Sequence, residues 1–348
     1  MPFTYDTSAE RIGKLKGKLF KHAIPIECLA ASGEAFKQPK NSSKTVIFRR
    51  WLPYGGATTN ATTINQWVVD PNSHLVSDGE TPTADTITPN DVTVTLKQYA
   101  VLYSYTDVAA ELYEDDIPAA EIEQAGERIS LVNELIHWGA LKACTNVFYA
   151  GGTSLATVDE AITLNLLRRV TRTLQANRAK MIRSRLDPGP DFNTSAIEAR
   201  YVVYCHTDMA ANIRDLEGFV HKAFYSKYQT MHEMELGSVE EFCFVCSPEF
   251  DKYADSGAAI GSTGLYSTTG SNIDVYPVAV IAKDAWGHLA LRGENAMTPV
   301  HVPYNTPNSK DDPLQQRGYV GAKWHMASFV QNDGWMALIL AGVSSLTS

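Results

Sequence analysis

The chain has 348 residues, a formal net charge of −9 and a pI near 5.5. This acidic balance argues against a dedicated nucleic-acid binder, whose surface is expected to be clearly basic. A hydrophobic fraction of 44% allows a sizeable core, whereas a charged fraction of 20% is low, as in chains that bury surface against partners. The longest apolar run, nine residues from 335 to 343, is too short to span a bilayer.

The first 46 residues predict an arm rather than a domain. Thr7–Glu10 fits a capping box that would open a short helix. The basic residues of this helix are Arg11, Lys14, Lys16, Lys18 and Lys21. Gly13 and Gly17 each cost a helix about 1 kcal/mol relative to alanine, so a partner is expected to stabilise it. A solvated basic face on an ordinary short helix is the equally open alternative.

Residues 51–96 contain no lysine or arginine, but ten threonines and five acids. The flanking segments 44–51 and 92–103 are rich in β-branched and aromatic residues, which favour strands. A loop this long without a helix is usually functional or disordered, and the strand-like flanks argue against disorder. The pattern predicts an extended arm with two strand-like legs, which needs another surface to lie on.

Two long helices follow. The first is predicted over residues 118–149, because Pro118 suits a first helical turn and apolar residues recur at three- and four-residue steps. At about 1.5 Å per residue it would be a spine roughly 48 Å long. The second runs from Thr163 to about Met181. From Arg168 to Arg185 the chain has seven basic residues and no acid. That basic stretch faces nucleic acid, the acidic arm of a neighbouring copy, or water.

The remaining chain alternates irregularly between strands and loops. Strands are predicted at 200–205, 241–246 and 273–282, with a short helix at 207–215 and an exposed loop at 255–272. Near the end, the segments 319–330 and 335–340 flank Gln331–Gly334, which predicts a β-hairpin. Mixed order without regular βαβ alternation indicates an α+β protein.

No catalytic, cofactor-binding or metal-binding residues are predicted. Cys243 and Cys246 form a CxxC, but a zinc site needs two further ligands, and positions three apart on a strand point to opposite faces. Buried structural cysteines are therefore expected. The five cysteines are odd in number and scattered, and the N-terminus lacks a secretory pattern, which indicates reduced thiols in a cytoplasmic setting. Phosphate-loop, nucleophile-elbow and dinucleotide motifs are missing from the sequence, so we expect no enzyme activity and no cofactor.

The layout and several short motifs resemble a known family. The motifs are Phe48–Trp51, Asp78–Pro82, Thr95–Tyr99, Leu164–Arg169, Asp274–Pro277, Asp312–Gly321 and Asn332–Met336. In this order, over residues 40–340, they resemble tailed-bacteriophage major capsid proteins of the Hong Kong 97-type fold, and within them a podovirus-type subfamily. The resemblance implies an N-terminal arm (1–46), an extended β-loop (47–100), a peripheral domain with the spine helix (101–155), an axial domain (156–302), and a return to the peripheral domain through the C-terminal β-hairpin (303–348).

The resemblance also implies a mechanical function. Pentamers and hexamers would close into an icosahedral shell around double-stranded DNA, assembled in the host cytoplasm and found in the virion. The implied partners are other copies of the chain, a separate scaffolding protein, a portal protein, weakly contacted DNA and a decoration protein, with no membrane. A cellular encapsulin-like cargo compartment of the same fold is the alternative, followed by a soluble acidic enzyme. Because the loop has no lysine between Arg50 and Lys97, the lysine-based covalent weld of the type member is not expected here.

Eight charged residues are the candidates for contacts between subunits. They are Arg49, Arg50, Asp78, Glu80, Lys97, Arg168, Arg169 and Arg172. The hypothesis behind them is that the acidic arm of one copy pairs with the basic helix of its neighbour. Such exposed ion pairs are screened by salt, so this hypothesis predicts a salt-dependent shell.

Overall fold

A computed structural model describes residues 24, 26–39, 41–51, 72, 75–79, 81, 89–112, 116–182, 199–225, 230, 232–261, 263–291, 298–306 and 313–346. The predicted N-terminal helix and nearly all of the arm's tip lie outside these residues. The helices are α1 (Asp107–Leu112), α2 (Ile117–Lys142), α3 (Leu164–Ala176) and α4 (Ala210–Arg214). The strands are β1 (Glu34–Gln38), β2 (Thr45–Trp51), β3 (Pro89–Thr95), β4 (Lys97–Thr106), β5 (Val147–Tyr149), β6 (Tyr201–His206), β7 (Val220–His221), β8 (Glu235–Val239), β9 (Phe242–Ser247), β10 (Tyr276–Ile281), β11 (Trp286–Leu291), β12 (Thr298–Val302), β13 (Arg317–Val330) and β14 (Met336–Ala341).

The largest sheet has seven strands in the order β5-β14-β10-β6-β9-β8-β7. The β5–β14 and β6–β9 pairs are parallel and the others antiparallel. α3 covers one face through Leu167, Val170 and Leu174, and Trp138 of α2 packs with Phe250 on the other. Since both faces are covered, the central strands are apolar almost throughout, which is the pattern of a sheet buried on two sides.

The five-stranded sheet is built around the long strand β13. β4 pairs along one side of β13, while β12 and β11 pair with successive parts of the other side, and β1 pairs with β11. α2 packs on this sheet through Ala125 and Ile129, which share a core with Val320 and Trp324. Helices and mixed sheets in this order confirm the predicted α+β class. Among the described residues no helix is long and apolar enough to cross a membrane.

The predicted end of the spine helix was wrong. α2 begins at Ile117, where the Asp116 side chain accepts a hydrogen bond from the Ala119 N–H at 3.2 Å, and it ends at Lys142 rather than near residue 149. Residues 147–149 instead form β5, paired with Leu338–Leu340. Val147 continues the apolar spacing of the helix, but a Val-Phe-Tyr sequence also favours a strand, and an unfilled sheet edge decides between them.

The second long helix ends earlier than residue 181 as well. The Thr163 side chain accepts a hydrogen bond from the Leu166 N–H at 3.4 Å, which confirms the predicted N-cap. α3 stops at Ala176, and the buried residue that follows, Asn177, is hydrogen-bonded to two residues that precede β14. The Asn177 side-chain amide donates to the Gly334 carbonyl, and the Trp335 indole donates to the Asn177 carbonyl, both at 3.0 Å.

The predicted C-terminal β-hairpin was also wrong. β13 and β14 belong to different sheets, and the backbone N–H groups of Gln331 and Asn332 both donate to the Ala285 carbonyl, at 2.9 and 3.0 Å. A short 3-10 helix, Asp333–Trp335, then leads into β14. Every residue of β14 is buried, so the strand is stabilised by neighbours on both sides, which β10 and β5 provide.

Candidate assembly surface

β2 and β3 form a two-stranded sheet of their own, which we call the hairpin arm. Their register is antiparallel from Thr45 opposite Thr95 to Trp51 opposite Pro89, so the two legs predicted from the sequence do pair. Side chains alternate between the faces of such a sheet. The inner face carries the half-buried and buried residues, and the outer face carries exposed ones.

The inner face attaches the hairpin arm to the body of the subunit. The Phe48 ring stacks on Phe329 of β13 with centroids 5.0 Å apart, and it contacts Phe36 of β1 at 4.8 Å. Val94 and Leu96 complete this cluster at the base. Burial of apolar surface therefore fixes where the arm leaves the body.

The outer face has no partner among the described residues that would cover its apolar side chains. Ile47 is 61% exposed and Trp51 57% exposed, and they flank Arg49 on the same face. Arg49 makes a bidentate ion pair with Asp91 directly opposite, with distances of 2.7 and 2.8 Å. The hydrogen bond from Arg49 holds the pKa of Asp91 below its ordinary value. Exposed isoleucine and tryptophan around a satisfied ion pair suit burial against another surface.

Arg50 points the other way and belongs to the subunit interior. Its guanidinium donates to the Gln331 carbonyl at 3.4 Å, and burial lowers its pKa. It lines a pocket of about 330 Å³ between the hairpin arm and the turn after β13, together with Phe48 and Asp284. Of the two neighbouring arginines, Arg49 alone is therefore displayed on the outer face.

Two of the other arm candidates lie among the described residues, and both are exposed. Asp78 lies in an exposed turn, and Lys97 is the exposed first residue of β4, opposite Met326 of β13. Glu80 lies outside the described residues. Contact of any of these residues with a second subunit stays a prediction.

The basic helix is partly neutralised within the chain. Arg168 forms an ion pair with Glu240 at 2.6 Å, and the Arg169 guanidinium lies 5.9 Å from the centre of the Phe148 ring. Arg172 is exposed on the same helix. Arg183 and Arg185 of the predicted basic stretch lie outside the described residues. Partners inside the chain thus reduce the charge that α3 offers to a neighbour.

The structure assigns the cysteines a packing role. All five are buried and unbridged. Cys243 packs in the core on one face of the seven-stranded sheet and Cys246 in the core on the other, as the strand reading predicted. The described part of the chain contains no cluster of histidine, cysteine and carboxylate side chains able to hold a metal ion.

The sequence reasoning missed three buried carboxylates, Glu134, Glu235 and Asp274, of which the first and last fix neighbouring segments in place. Glu134 is 2% exposed and accepts hydrogen bonds from the backbone N–H groups of Cys28 and Leu29 at 3.0 and 3.1 Å, which fixes the N-terminal segment to α2. Burial raises its pKa. A carboxylate among the apolar positions of a helix was the available signal.

Asp274 is fully buried. It pairs with Lys252 at 2.6 Å and accepts from the N–H groups of Asp255 and Thr268. Burial alone would raise its pKa, but these donors bring it to about 2. Asp274 opens the Asp274–Pro277 motif, so the motif has a local reason: it fixes the serine- and threonine-rich loop to β10.

Comparison with known proteins points to one class. No family model matches the chain. A curated relative, the major capsid protein of Pseudomonas phage KPP21, is 21% identical over 262 residues, which cover 70% of this chain and 66% of that protein, slightly under two thirds of its length.

Solved structures extend the similarity to almost the whole chain. The capsid of Ralstonia phage GP4 superimposes with a TM-score of 0.64 at 12% identity, covering 98% of each chain. The capsid of cyanophage Pam1 gives 0.62 at 14% identity and covers 99% of each. The head of Helicobacter pylori bacteriophage KHP40 gives 0.60 at 10% identity, covering 99% and 98%. The predicted Hong Kong 97-type fold and the resemblance to phage major capsid proteins are confirmed. The podovirus-type subfamily stays a prediction.

Proposed function

We propose that this chain is the major capsid protein of a phage and forms the shell of the virion by self-assembly. The observation that carries the proposal is the superposition on phage capsid subunits over 98–99% of the chain. The curated relative, itself a phage major capsid protein, supports the same function independently. A shell function also accounts for the hairpin arm, because the apolar residues on its outer face stay exposed in a single subunit.

We propose further that the outer face of the hairpin arm is covered by a neighbouring subunit. Ile47 and Trp51 are the apolar residues that gain from this burial, at about 25 cal/mol per Å². A contact of one patch with a different patch on the next copy propagates around a ring until symmetry closes it. Pentamers and hexamers in an icosahedral shell are such closed arrangements.

The finer assignments remain part of this proposal. They are the extended loop at 47–100, the peripheral domain at 101–155, the axial domain at 156–302 and the return at 303–348. A separate scaffolding protein, a portal protein, weakly contacted double-stranded DNA and a decoration protein complete the proposed particle. The two sheets do not follow these bounds, because β11 and β12, within 156–302, pair in the five-stranded sheet, whereas β14, within 303–348, pairs in the seven-stranded sheet.

The test is assembly of the purified chain, alone and co-expressed with a scaffolding protein encoded beside it. We expect capsomers or closed shells by sedimentation and electron microscopy. A chain that stays a stable monomer at high concentration under both conditions would contradict the proposal.

A deletion separates assembly from folding. Removing residues 55–90 leaves the aromatic base of the arm in place, so we expect a cooperatively folded subunit that makes no stable shell. Circular dichroism and thermal unfolding report the fold, and sedimentation reports assembly. Global unfolding of this variant would mean that the deleted segment belongs to the subunit core.

Salt tests the charge-pairing hypothesis. If the acidic arm pairs with α3 of a neighbour, the dissociation temperature of shells should fall as salt rises, because exposed pairs are screened. The ion pair between Arg168 and Glu240 already occupies one of these bases within the chain. Shells whose stability is unchanged by salt would leave apolar burial as the main contact.

A further inference from the structure

One side of α2 changes from buried to exposed towards the N-terminal end of the helix. With 3.6 residues per turn, Asp116, Ala120, Glu123, Glu127 and Glu134 fall on one side, which we call the Glu134 face. At its C-terminal end this face is covered, and Glu134 is 2% exposed beneath Cys28 and Leu29. At its N-terminal end, Asp116, Ala120 and Glu123 are exposed.

The segment that covers the C-terminal half leads directly to chain outside the described residues. Cys28 is fixed to Glu134 by two contacts, from its N–H at 3.0 Å and its thiol at 3.3 Å. Glu123 lies eleven residues earlier on α2, about 16 Å away along the axis. The linker of residues 22–27 spans up to roughly 20 Å when extended. Residues 11–21 can therefore reach the uncovered half of the same face.

Charge selects the same occupant. Between residues 98 and 127 the chain has eight acids and no lysine or arginine. Between residues 11 and 26 it has five bases and no acid. The other basic stretch, on α3, already has an internal partner for Arg168 in Glu240. The N-terminal segment thus has the complementary charge.

Size and shape agree as well. Residues 7–21 and residues 116–130 are segments of equal length, so a helix over either is about 22 Å long. This part of α2 has small side chains at Ala119, Ala120 and Gly126, which leave its surface flat. A Cβ placed on Gly126 would meet no described atom within 4 Å. A glycine in a helix interior costs about 1 kcal/mol relative to alanine. Close approach of a second helix supplies a reason for it.

We propose that residues 7–21 dock as a basic amphipathic helix on the exposed N-terminal half of the Glu134 face of α2 in the same chain. The lysines pair with Glu123 and its acidic neighbours, and the apolar residues of the segment lie over the small residues of α2. The proposal extends the observed contact of Cys28 and Leu29 along one helix face, and it is independent of the proposed shell function.

Zero-length carbodiimide cross-linking of the full chain tests the contact. We expect isopeptide bonds from the lysines at 14–21 to Glu123, read by mass spectrometry. Mixing unlabelled and nitrogen-15-labelled chains distinguishes bonds within one chain from bonds between two. Glu123→Gln should remove the bond at that position, and Lys323, on the opposite face of the five-stranded sheet, serves as the control lysine. Bonds found only between chains, or none from the segment to α2, would overturn the proposal.

A charge swap gives the second readout. Lys14→Glu with Lys18→Glu should lower the hydrogen-exchange protection of residues 116–130, by about two- to fivefold for each reversed charge. Adding Glu123→Lys should restore part of that protection. Lys323→Glu is the matched control and should leave it unchanged. Protection of residues 116–130 that is the same in all four proteins would contradict docking.

Discussion

The hairpin arm and the seven-stranded sheet are both built from β-strands, but they differ in how many faces the subunit covers. In the seven-stranded sheet, all residues of β9, β10 and β14 are buried, because α3 lies on one face and α2 with Phe250 on the other. In the hairpin arm, residues alternate between covered and exposed along both strands. One subunit completes the first region and leaves half of the second uncovered.

This difference separates residues that fold the subunit from residues that join subunits. An apolar side chain inside the seven-stranded sheet is stabilised by its own chain. Ile47 and Trp51 gain burial only when another surface arrives. The comparison therefore predicts that mutations in the two regions will have opposite profiles, one in folding and the other in assembly.

The largest expected effect is on folding. Phe244 is fully buried on β9, so Phe244→Ala should destabilise the subunit by about 3–5 kcal/mol. That is a large part of a typical domain's stability, and soluble yield should fall sharply. Urea unfolding measures the change, with Thr93→Ala on the outer face of the hairpin arm as the control. Equal stability of the two variants would erase the distinction between the regions.

Acid should weaken the body of the subunit through His137. Burial, with His288 beside it, lowers its pKa from 6.5 to about 3. Between these values the unfolded chain binds a proton at this position and the folded chain does not. The free energy of unfolding should therefore fall as pH drops from 6.5 towards 3, by up to about 1.4 kcal/mol per pH unit.

Urea unfolding across this pH range, compared with His137→Gln, isolates the effect of this imidazole. The comparison is needed because burial shifts the pKa of Glu134 upward, which has the opposite pH dependence. A variant with the same slope as the natural chain would show that His137 does not control it.

The sequence predicted the elements whose pattern is local. The strands at 200–205, 241–246 and 273–282 appear as β6, β9 and β10, and Thr163 caps α3 as expected. The two legs of the hairpin arm, which do pair, could be predicted because they are rich in β-branched residues and show no helix pattern. The opposite burial of Cys243 and Cys246 followed from strand periodicity alone.

The sequence-based predictions that were wrong concern segments whose structure depends on contacts between distant residues. Val147 continues a helical spacing, yet it pairs with Leu338, 191 positions later, and joins a strand. The turn at Gln331 looks like a hairpin, but its N–H groups bond to Ala285 and send β13 and β14 into different sheets. Two of the eight charged candidates have partners inside the chain, Arg50 in the Gln331 carbonyl and Arg168 in Glu240, while their contact with a second subunit stays a prediction. Charge and spacing cannot show which bases the subunit neutralises itself.

A pair of adjacent residues sharpens the comparison within β2. Phe48 packs on Phe36 and Phe329, so Phe48→Ala should lower subunit stability by about 1–3 kcal/mol, less than a fully buried phenylalanine would. Ile47 points outward, so Ile47→Ala should leave stability almost unchanged and reduce the yield of shells. Urea unfolding and sedimentation of both variants give the two-way test. Loss of assembly by Phe48→Ala alone would place the intersubunit contact elsewhere.

The smallest expected effect is at the ion pair on the outer face. Arg49 and Asp91 are exposed, so Arg49→Ala should change the urea midpoint of the isolated subunit too little to resolve.

Within a shell the same pair would lie between Ile47 and Trp51 under a neighbouring copy. Removing Arg49 would then leave Asp91 buried without its partner, which costs far more than losing a solvated pair. Shell dissociation should therefore respond to Arg49→Ala, and the double variant Arg49→Ala with Asp91→Ala should recover part of the loss. A double variant that dissociates as readily as the single one would mean that the pair stays in water after assembly, and that the covered part of the arm begins beyond it.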